Sequence, residues 1–147
     1  IICEASIIVK GENGNRFRKK PPPNFFTRSE FSDVIFSVGG KKIYVNKQML
    51  AHASPYFEAL FFGDFKESRE KEIVLDDVST DEFLTLLELI YDYGKIDDIN
   101  VEYVLQMADR FDIPKIMISA EEYLHDHYFP LHLKLRLSDQ YSFYTLQ

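Results

Sequence analysis

The sequence predicts an α+β domain in which a small three-stranded sheet packs against a cluster of helices. Between Val34 and Val45, hydrophobic and more polar residues alternate on either side of Gly39-Gly40, a pattern typical of a β-hairpin. After Asn46 the apolar residues recur at helical spacing instead, and a later short run from Ile73 to Leu75 predicts a third strand. The chain thus changes from strand to helix periodicity within one stretch.

The composition indicates a folded chain whose partners are proteins. Hydrophobic residues make up 46% of the 147 residues, with 13 Phe and 9 Tyr, which is too apolar for a disordered chain. The net charge of −7 does not favour a nucleic-acid partner. No apolar run approaches the roughly 20 residues of a membrane helix, so no membrane contact is expected. The single cysteine, Cys3, cannot form an internal disulfide, which favours an intracellular location, cytoplasmic or nuclear.

Residues 1–23 comprise a short β-prone run and a linker. Ile1 to Val9 is the β-prone run, and on local grounds it can be an ordinary edge strand or a disordered tail. Arg16 to Pro23 joins a basic run to a stiff polyproline step, which favours a linker. A nuclear import signal and a phosphate-binding patch are the alternatives for this basic run.

Two short helices are predicted after the hairpin. Asn46 is well suited to cap the first helix. Ser54 followed by Pro55 predicts the cap and first turn of the second helix. The apolar residues of this region lie on one side of the predicted helices: Met49, Leu50, Ala53, Phe57, Leu60 and Phe61.

Three more helices are predicted after the third strand. Ser79 to Glu82 matches a capping box, in which Ser79 would bond the amide of Glu82, so a helix begins there. Asn100 can open the next helix, and Pro114 starts a third helix in its first turn. The buried stripe predicted for the first of these helices consists of Phe83, Leu86, Leu87 and Ile90.

The tail from Tyr128 allows two interpretations on local grounds. Four leucines alternate with polar residues as in a strand, at positions 131, 133, 135 and 137. However, Leu133, Leu137, Tyr141 and Tyr144 also lie near one face of a helix, and leucine favours helices.

The region from Asn24 to His127 resembles the BTB (POZ) domain, and most of all the BTB half of MATH-BTB proteins. The likeness rests on three motifs in the order and spacing of the family, at Phe31 to Asp33, Lys47 to Leu50 and Ser54 to Phe61. Asn46 stands where many members carry His. The resemblance implies the BTB/POZ fold for residues 24–127 and a helical extension from 128 to 147. It also implies that residues 1–23 are a linker together with the remnant of a preceding domain, for which a MATH domain is the candidate, and Ile1 to Val9 is the part interpreted as that remnant.

The resemblance implies a protein-interaction module that binds a cullin-3 type scaffold. Phe65-Lys66-Glu67 matches the hydrophobic-x-Glu motif with which BTB adaptors bind the cullin. A large apolar side chain can fill a pocket on the partner while a carboxylate fixes the register. The alternative is that Phe65 packs back onto the preceding phenylalanines while Glu67 is only solvated. Tyr91 and Tyr93 are secondary candidates for the same surface.

The resemblance also implies a homodimer. Its interface candidates are Phe25, Phe26 and Met49, and core packing within one subunit is the competing explanation for the two phenylalanines. Asp33 and Lys47 match the charged pair that lines a pocket in transcription-factor BTB dimers. A structural salt bridge is the alternative for this pair.

No catalytic or metal site can be assembled from the sequence. An enzyme would need a nucleophile, a base and an orienting group, and the histidines supply none of these arrangements. His125 and His127 are two residues apart and would point in different directions on a helix, so no metal or cofactor is expected. The predicted function is a non-catalytic, homodimeric substrate adaptor of a cullin-3 type ubiquitin ligase, with a preceding domain holding the substrate protein. The alternative is the dimerisation module of a transcriptional regulator.

Overall fold

The structure is a computed structural model that describes residues 7–10, 16–19, 21–63, 71–127 and 130–141. These residues form five strands and six helices. In chain order they are β1 (Ile7–Lys10), β2 (Arg16–Lys19), β3 (Val34–Val38), β4 (Lys41–Val45), α1 (Lys47–Ala53), α2 (Pro55–Phe62), β5 (Glu72–Leu75), α3 (Thr80–Ile90), α4 (Val101–Arg110), α5 (Pro114–Asp126) and α6 (Leu131–Tyr141).

The main sheet has three strands in the order β4-β3-β5. Strands β3 and β4 are antiparallel and are joined by Gly39 and Gly40, whose φ angles of 57° and 78° suit the tight turn. Strand β5 runs parallel to β3, and Phe36 lies opposite Ile43 on one side and Ile73 on the other. The predicted hairpin and third strand are confirmed.

Strand β2 corrects the prediction for the N-terminal region. Residues 16–19 were predicted to belong to a linker, but they pair antiparallel with β1, with Ile7 opposite Lys19 and Lys10 opposite Arg16. Main-chain pairing of this kind needs no apolar side chains on the second strand, so a basic sequence can supply it. The basic composition of the segment therefore concealed a strand.

Helices α1 and α2 begin where the sequence predicts. The side-chain oxygen of Asn46 accepts a hydrogen bond from the amide of Met49 at 3.0 Å. The hydroxyl of Ser54 accepts one from the amide of Phe57 at 3.1 Å and donates to the carbonyl of Phe111. Ser54 is buried, so this one hydroxyl caps α2 and also ties it to the turn between α4 and α5.

Helix α3 begins at Thr80 as predicted, but the capping box is wrong in its chemistry. Ser79 occupies the cap position without a side-chain cap bond. The hydroxyl of Thr80 instead donates to the carbonyl of Val38 at 2.9 Å, which anchors the start of α3 to the end of β3. The predicted stripe of α3 is buried in full: Phe83, Leu86, Leu87 and Ile90.

Helix α6 confirms the helical interpretation of the tail. Leu137 is only 1% exposed and packs in a small cluster with residues of α4 and α5. Arg136 pairs with Glu102 of α4 at 2.9 Å. A strand with alternating leucines would have presented all four on one face, whereas the helix buries Leu137 and leaves Leu131 and Leu135 exposed.

The core is built around phenylalanine rings. Phe36 of β3 is fully buried, and its ring centroid lies 5.9 Å from that of Phe57 and 5.4 Å from that of Phe83. Phe111 stacks on Phe57 at 5.2 Å. Aromatic pairs of this geometry each contribute about 0.5–1.5 kcal/mol beyond the burial of their area. These ring contacts pack the sheet, α2, α3 and the end of α4 into one core.

Candidate interaction surface

The candidate surface is a groove beside β4, and its floor is made of two aromatic rings. Phe25 and Tyr91 meet edge to face with their ring centroids 5.0 Å apart. The carbonyl of Phe25 accepts a hydrogen bond from the amide of Tyr44 at 2.8 Å, so the segment before β3 is attached to the outer edge of β4. Phe25 is only 5% exposed and belongs to the core.

Asn46 holds three parts of this surface together. Besides capping α1, its side-chain amide donates to the carbonyl of Phe31 at 2.7 Å. Its backbone amide donates to the hydroxyl of Tyr91 at 3.0 Å. One residue between β4 and α1 thus fixes the segment before β3, the start of α1 and the end of α3. The cap bond needs a side-chain acceptor and the bond to Phe31 needs a side-chain donor, and Asn supplies both.

Burial changes the acid–base behaviour of Tyr91. Removal of its hydroxyl from solvent raises the pKa of Tyr91 above its ordinary value, and the nearby carboxylate of Asp33 adds to this, while the bond from Asn46 acts in the opposite direction. The hydroxyl therefore remains protonated at neutral pH and serves as a structural acceptor.

Exposed apolar side chains border the groove. Phe31 is 68% exposed and Met49 is 42% exposed. The groove encloses about 700 Å³. Its lining combines aromatic, aliphatic and proline side chains with a few serine and amide groups: Pro21, Pro23, Asn24, Phe25, Thr27, Ser29, Phe31, Ser32, Tyr44, Val45, Asn46, Met49, Tyr91 and Tyr93. Apolar patches bordered by polar groups are typical of protein-binding surfaces.

The structure separates the three residues predicted for a dimer face. Met49 is exposed and lines the groove, as an interface residue would. Phe25 is buried under the groove, so the competing explanation of core packing describes its side chain. Phe26 is 45% exposed on the other side of this segment, with the ammonium of Lys41 5.7 Å from the centre of its ring. The exposed Phe31 was missed as an interface candidate, although the sequence places it in the family motif.

Asp33 and Lys47 are in contact, but through the backbone. The carboxylate of Asp33 accepts a hydrogen bond from the amide of Lys47 at 2.7 Å and so caps the first turn of α1. The ammonium of Lys47 lies 6.0 Å from the ring centre of Phe61. The predicted pair therefore acts as a helix cap rather than as a salt bridge between two side chains.

The residues predicted to bind a cullin fall in two places. Phe65, Lys66 and Glu67 lie outside the described residues. Tyr91 and Tyr93 line the groove together with Met49, so the structure brings these two tyrosines to the predicted dimer residues. Their assignment to the cullin-binding surface stays a prediction.

Within the described ranges, no group of three or more His, Cys, Asp or Glu side chains is arranged to hold a metal ion. His127 stacks on Tyr123 with ring centroids 3.9 Å apart, and its ring nitrogen contacts the carbonyl of the same residue at 2.9 Å. Its neighbourhood is that of a helix end. Among the same residues, no helix is long and apolar enough to cross a membrane.

Comparisons with known proteins agree with this geometry. The family model described as "BTB/POZ domain" matches residues 23–128. BTB and MATH domain-containing protein 15 of Caenorhabditis elegans is 43% identical over 101 residues, covering 67% of this chain and 37% of the relative. BTB and MATH domain-containing protein 36 of the same organism is 37% identical over 98 residues, covering 66% of this chain and 31% of the relative. The chain thus spans well under half of the length of these relatives.

Among solved structures, the BTB domain of human gigaxonin superimposes with a TM-score of 0.57 at 26% identity. The match covers 66% of this chain and 80% of the gigaxonin chain. The similarity of fold therefore extends across most of that domain.

Proposed function

Since the chain belongs to the BTB/POZ family, a family of protein-interaction modules, we propose that it is a homodimeric substrate adaptor for a cullin-3 type ubiquitin ligase. In this proposal the domain binds the scaffold, and a preceding domain holds the substrate protein. It acts inside the cell, in the cytoplasm or the nucleus, and carries out no chemistry of its own. The relatives named for both BTB and MATH domains support this division of labour.

The observation that carries the cullin assignment is Phe65-Lys66-Glu67, which stands shortly before β5 in a chain of this family. A phenylalanine can anchor in an apolar pocket of the scaffold, and the glutamate can fix its orientation through a charge-assisted hydrogen bond.

The dimer assignment is supported by the groove and by its exposed border. Phe31 and Met49 leave apolar surface in water next to a groove of about 700 Å³, and a second copy would cover both. A two-fold dimer uses the same patch on both subunits, so one surface is sufficient to close it.

We expect that Phe65→Ala combined with Glu67→Ala removes binding to the N-terminal domain of the cullin, with an affinity loss of about a hundredfold or more. Isothermal titration calorimetry of purified chain against that domain measures it. Val74→Ala is the control, because Val74 is 64% exposed on β5 and lies close in sequence to the motif. Unchanged affinity in the double variant would refute the site.

Light scattering combined with the cullin titration separates this function from its alternative. The adaptor should have twice the 17.3 kDa chain mass at micromolar concentration and should bind the cullin. A chain that dimerises but does not bind the cullin would support the alternative, the dimerisation module of a transcriptional regulator. A monomer at every concentration would contradict both.

A further inference from the structure

A small cavity at the start of β3 brings two cationic side chains together. It encloses about 230 Å³ and is lined by half-buried side chains of the sheet, Ile35 of β3 and Tyr44 of β4. Arg28, from the segment before β3, and Lys71, which directly precedes β5, line it as well. Separate parts of the chain thus contribute two positive charges to one place.

Contacts with the sheet hold both of these residues. The guanidinium carbon of Arg28 lies 5.6 Å from the ring centre of Tyr44, a distance typical of a cation–π contact. The backbone carbonyl of Lys71 accepts a hydrogen bond from the amide of Ile35 at 2.9 Å, so the backbone of Lys71 is attached to β3. Binding a ligand here therefore costs less conformational freedom than binding it between two cations on unattached loops.

The carboxylates next to this cavity already have other partners. Asp33 lines the cavity, but its side chain accepts a hydrogen bond from the amide of Lys47 at 2.7 Å. The carboxylate of Glu72 lies 3.7 Å from the ammonium of Lys42. Within the described part of the chain, neither of the two cations in the cavity forms an ion pair. Both are therefore available to an anionic group from outside.

The positive charge of this cavity contrasts with the charge of the chain that follows it. From Glu72 to His127 the sequence has fifteen Asp and Glu residues and three Lys and Arg residues. A cleft with an excess of one sign of charge concentrates the electric field and attracts groups of the opposite sign. An anionic group that approaches this acidic protein is therefore directed to the cavity rather than to the surface formed by the later helices.

We propose that this cavity binds a glutamate or aspartate side chain of a protein partner. The guanidinium of Arg28 can bond both oxygens of a carboxylate, and the ammonium of Lys71 supplies a second charge. Asp33 leaves the lining with one net positive charge, which matches a singly charged carboxylate better than a doubly charged phosphate. This inference goes beyond the proposed function, since neither cation lines the groove beside β4.

A short blocked peptide with one glutamate between two valines tests this site. Nuclear magnetic resonance of the full chain at low salt follows the backbone amide signals as the peptide is added. We expect saturable shifts at Ile35, Tyr44 and Lys71, with a dissociation constant on the order of 1 mM, because one exposed charged site binds weakly. The same peptide with glutamine in place of glutamate should bind about tenfold more weakly, since it keeps the shape but loses the charge.

Arg28→Gln combined with Lys71→Gln should weaken binding of the glutamate peptide about tenfold or more. Both side chains are exposed, and the backbone bond of Lys71 is kept, so the fold should not change. Lys95→Gln combined with Lys115→Gln is the matched control. It removes the same amount of charge from exposed positions that do not line the cavity, and it should leave the affinity unchanged.

Three results would overturn this inference. The first is equal affinity for the glutamate and glutamine peptides, and the second is unchanged affinity after Arg28 and Lys71 are both replaced. The third is tighter binding of a matching phosphoserine peptide, which would mean that the cavity selects a phosphoryl group instead of a carboxylate. None of these measurements depends on the mass of the assembly or on cullin binding, so failure of this inference is distinguishable from failure of the proposed function.

Discussion

Asn46 and Tyr91 show how single residues give this surface its shape. Asn46 bonds Met49, Phe31 and Tyr91 through three different groups, and its cap on α1 could be predicted because Asn is a preferred cap residue. The bond to Phe31 could not be predicted, since the two residues are fifteen positions apart and meet only in the folded chain. The sequence predicts Tyr91 as a binding residue. In the structure its hydroxyl also accepts a hydrogen bond from the backbone amide of Asn46.

Tyr91→Phe tests this role through pH. At pH about 8 the variant should be less stable by about 1 kcal/mol, because the amide of Asn46 loses its acceptor while the ring still packs on Phe25. Since burial raises the pKa of Tyr91 above 10.0, wild-type stability from this hydroxyl is present below that pH and is lost as pH rises beyond it. The difference in unfolding free energy between wild type and variant should therefore shrink above pH about 10.

Urea unfolding between pH about 8 and 11 measures this difference. Hydrogen bonding to Asp98 raises the pKa of Tyr123 to about 12, but Tyr123 is present in both chains and its contribution cancels. A difference that is constant over the whole range would contradict the role assigned to the Tyr91 hydroxyl.

The β3–β4 turn shows what an element requires of its residues. Gly39 and Gly40 both have positive φ, but a methyl group on Gly39 would come within 2.6 Å of the hydroxyl of Thr80, whereas one on Gly40 would meet nothing within 4 Å. Gly39→Ala should lower the unfolding free energy by about 2 kcal/mol or more, through strain and the loss of the Thr80 bond to Val38. Gly40→Ala should lower it by about 1 kcal/mol, from strain alone. Equal effects in thermal unfolding would show that the approach of Thr80 is irrelevant.

Helix α6 is attached to the rest of the domain through Leu137. Leu137→Ala removes a side chain of this helix that is fully buried against α4 and α5, and should destabilise its docking by about 2–4 kcal/mol. Leu135→Ala on the same helix is the control, because Leu135 is 54% exposed and its loss should change stability by less than about 0.5 kcal/mol. Hydrogen exchange of the α6 amides measures the stability of this docking in both variants. Equal protection in the two variants would contradict docking through Leu137.

At the scale of the whole molecule, net charge opposes the association that the apolar groove promotes. Each copy carries a charge of −7, so two copies repel each other, and salt screens this repulsion more than it affects apolar contact. The dimer dissociation constant at pH about 7 should fall several-fold when salt is raised from about 50 to about 500 mM. Near the isoelectric point of about 5.1 the salt effect should vanish. A dissociation constant that rises with salt would mean that ion pairs hold the interface.

The sequence by itself determined the class of fold, its strands from β3 onward and the starts of helices α1 to α5, because periodicity and capping residues are local signals. It also carried the family motifs from which the BTB/POZ fold was predicted. The strand β2 was missed because a basic run pairs through its backbone and leaves no alternation of side chains to detect.

Only the tertiary structure decided which aromatic side chains are available to a partner. Phe25, Phe26 and Phe31 look alike in the sequence, yet the first is buried beneath Tyr91, the second lies beside Lys41 and the third projects from a closed turn. The physical reason is that exposure depends on neighbours brought from distant parts of the chain, such as Tyr91 from α3 and Asn46 from the start of α1.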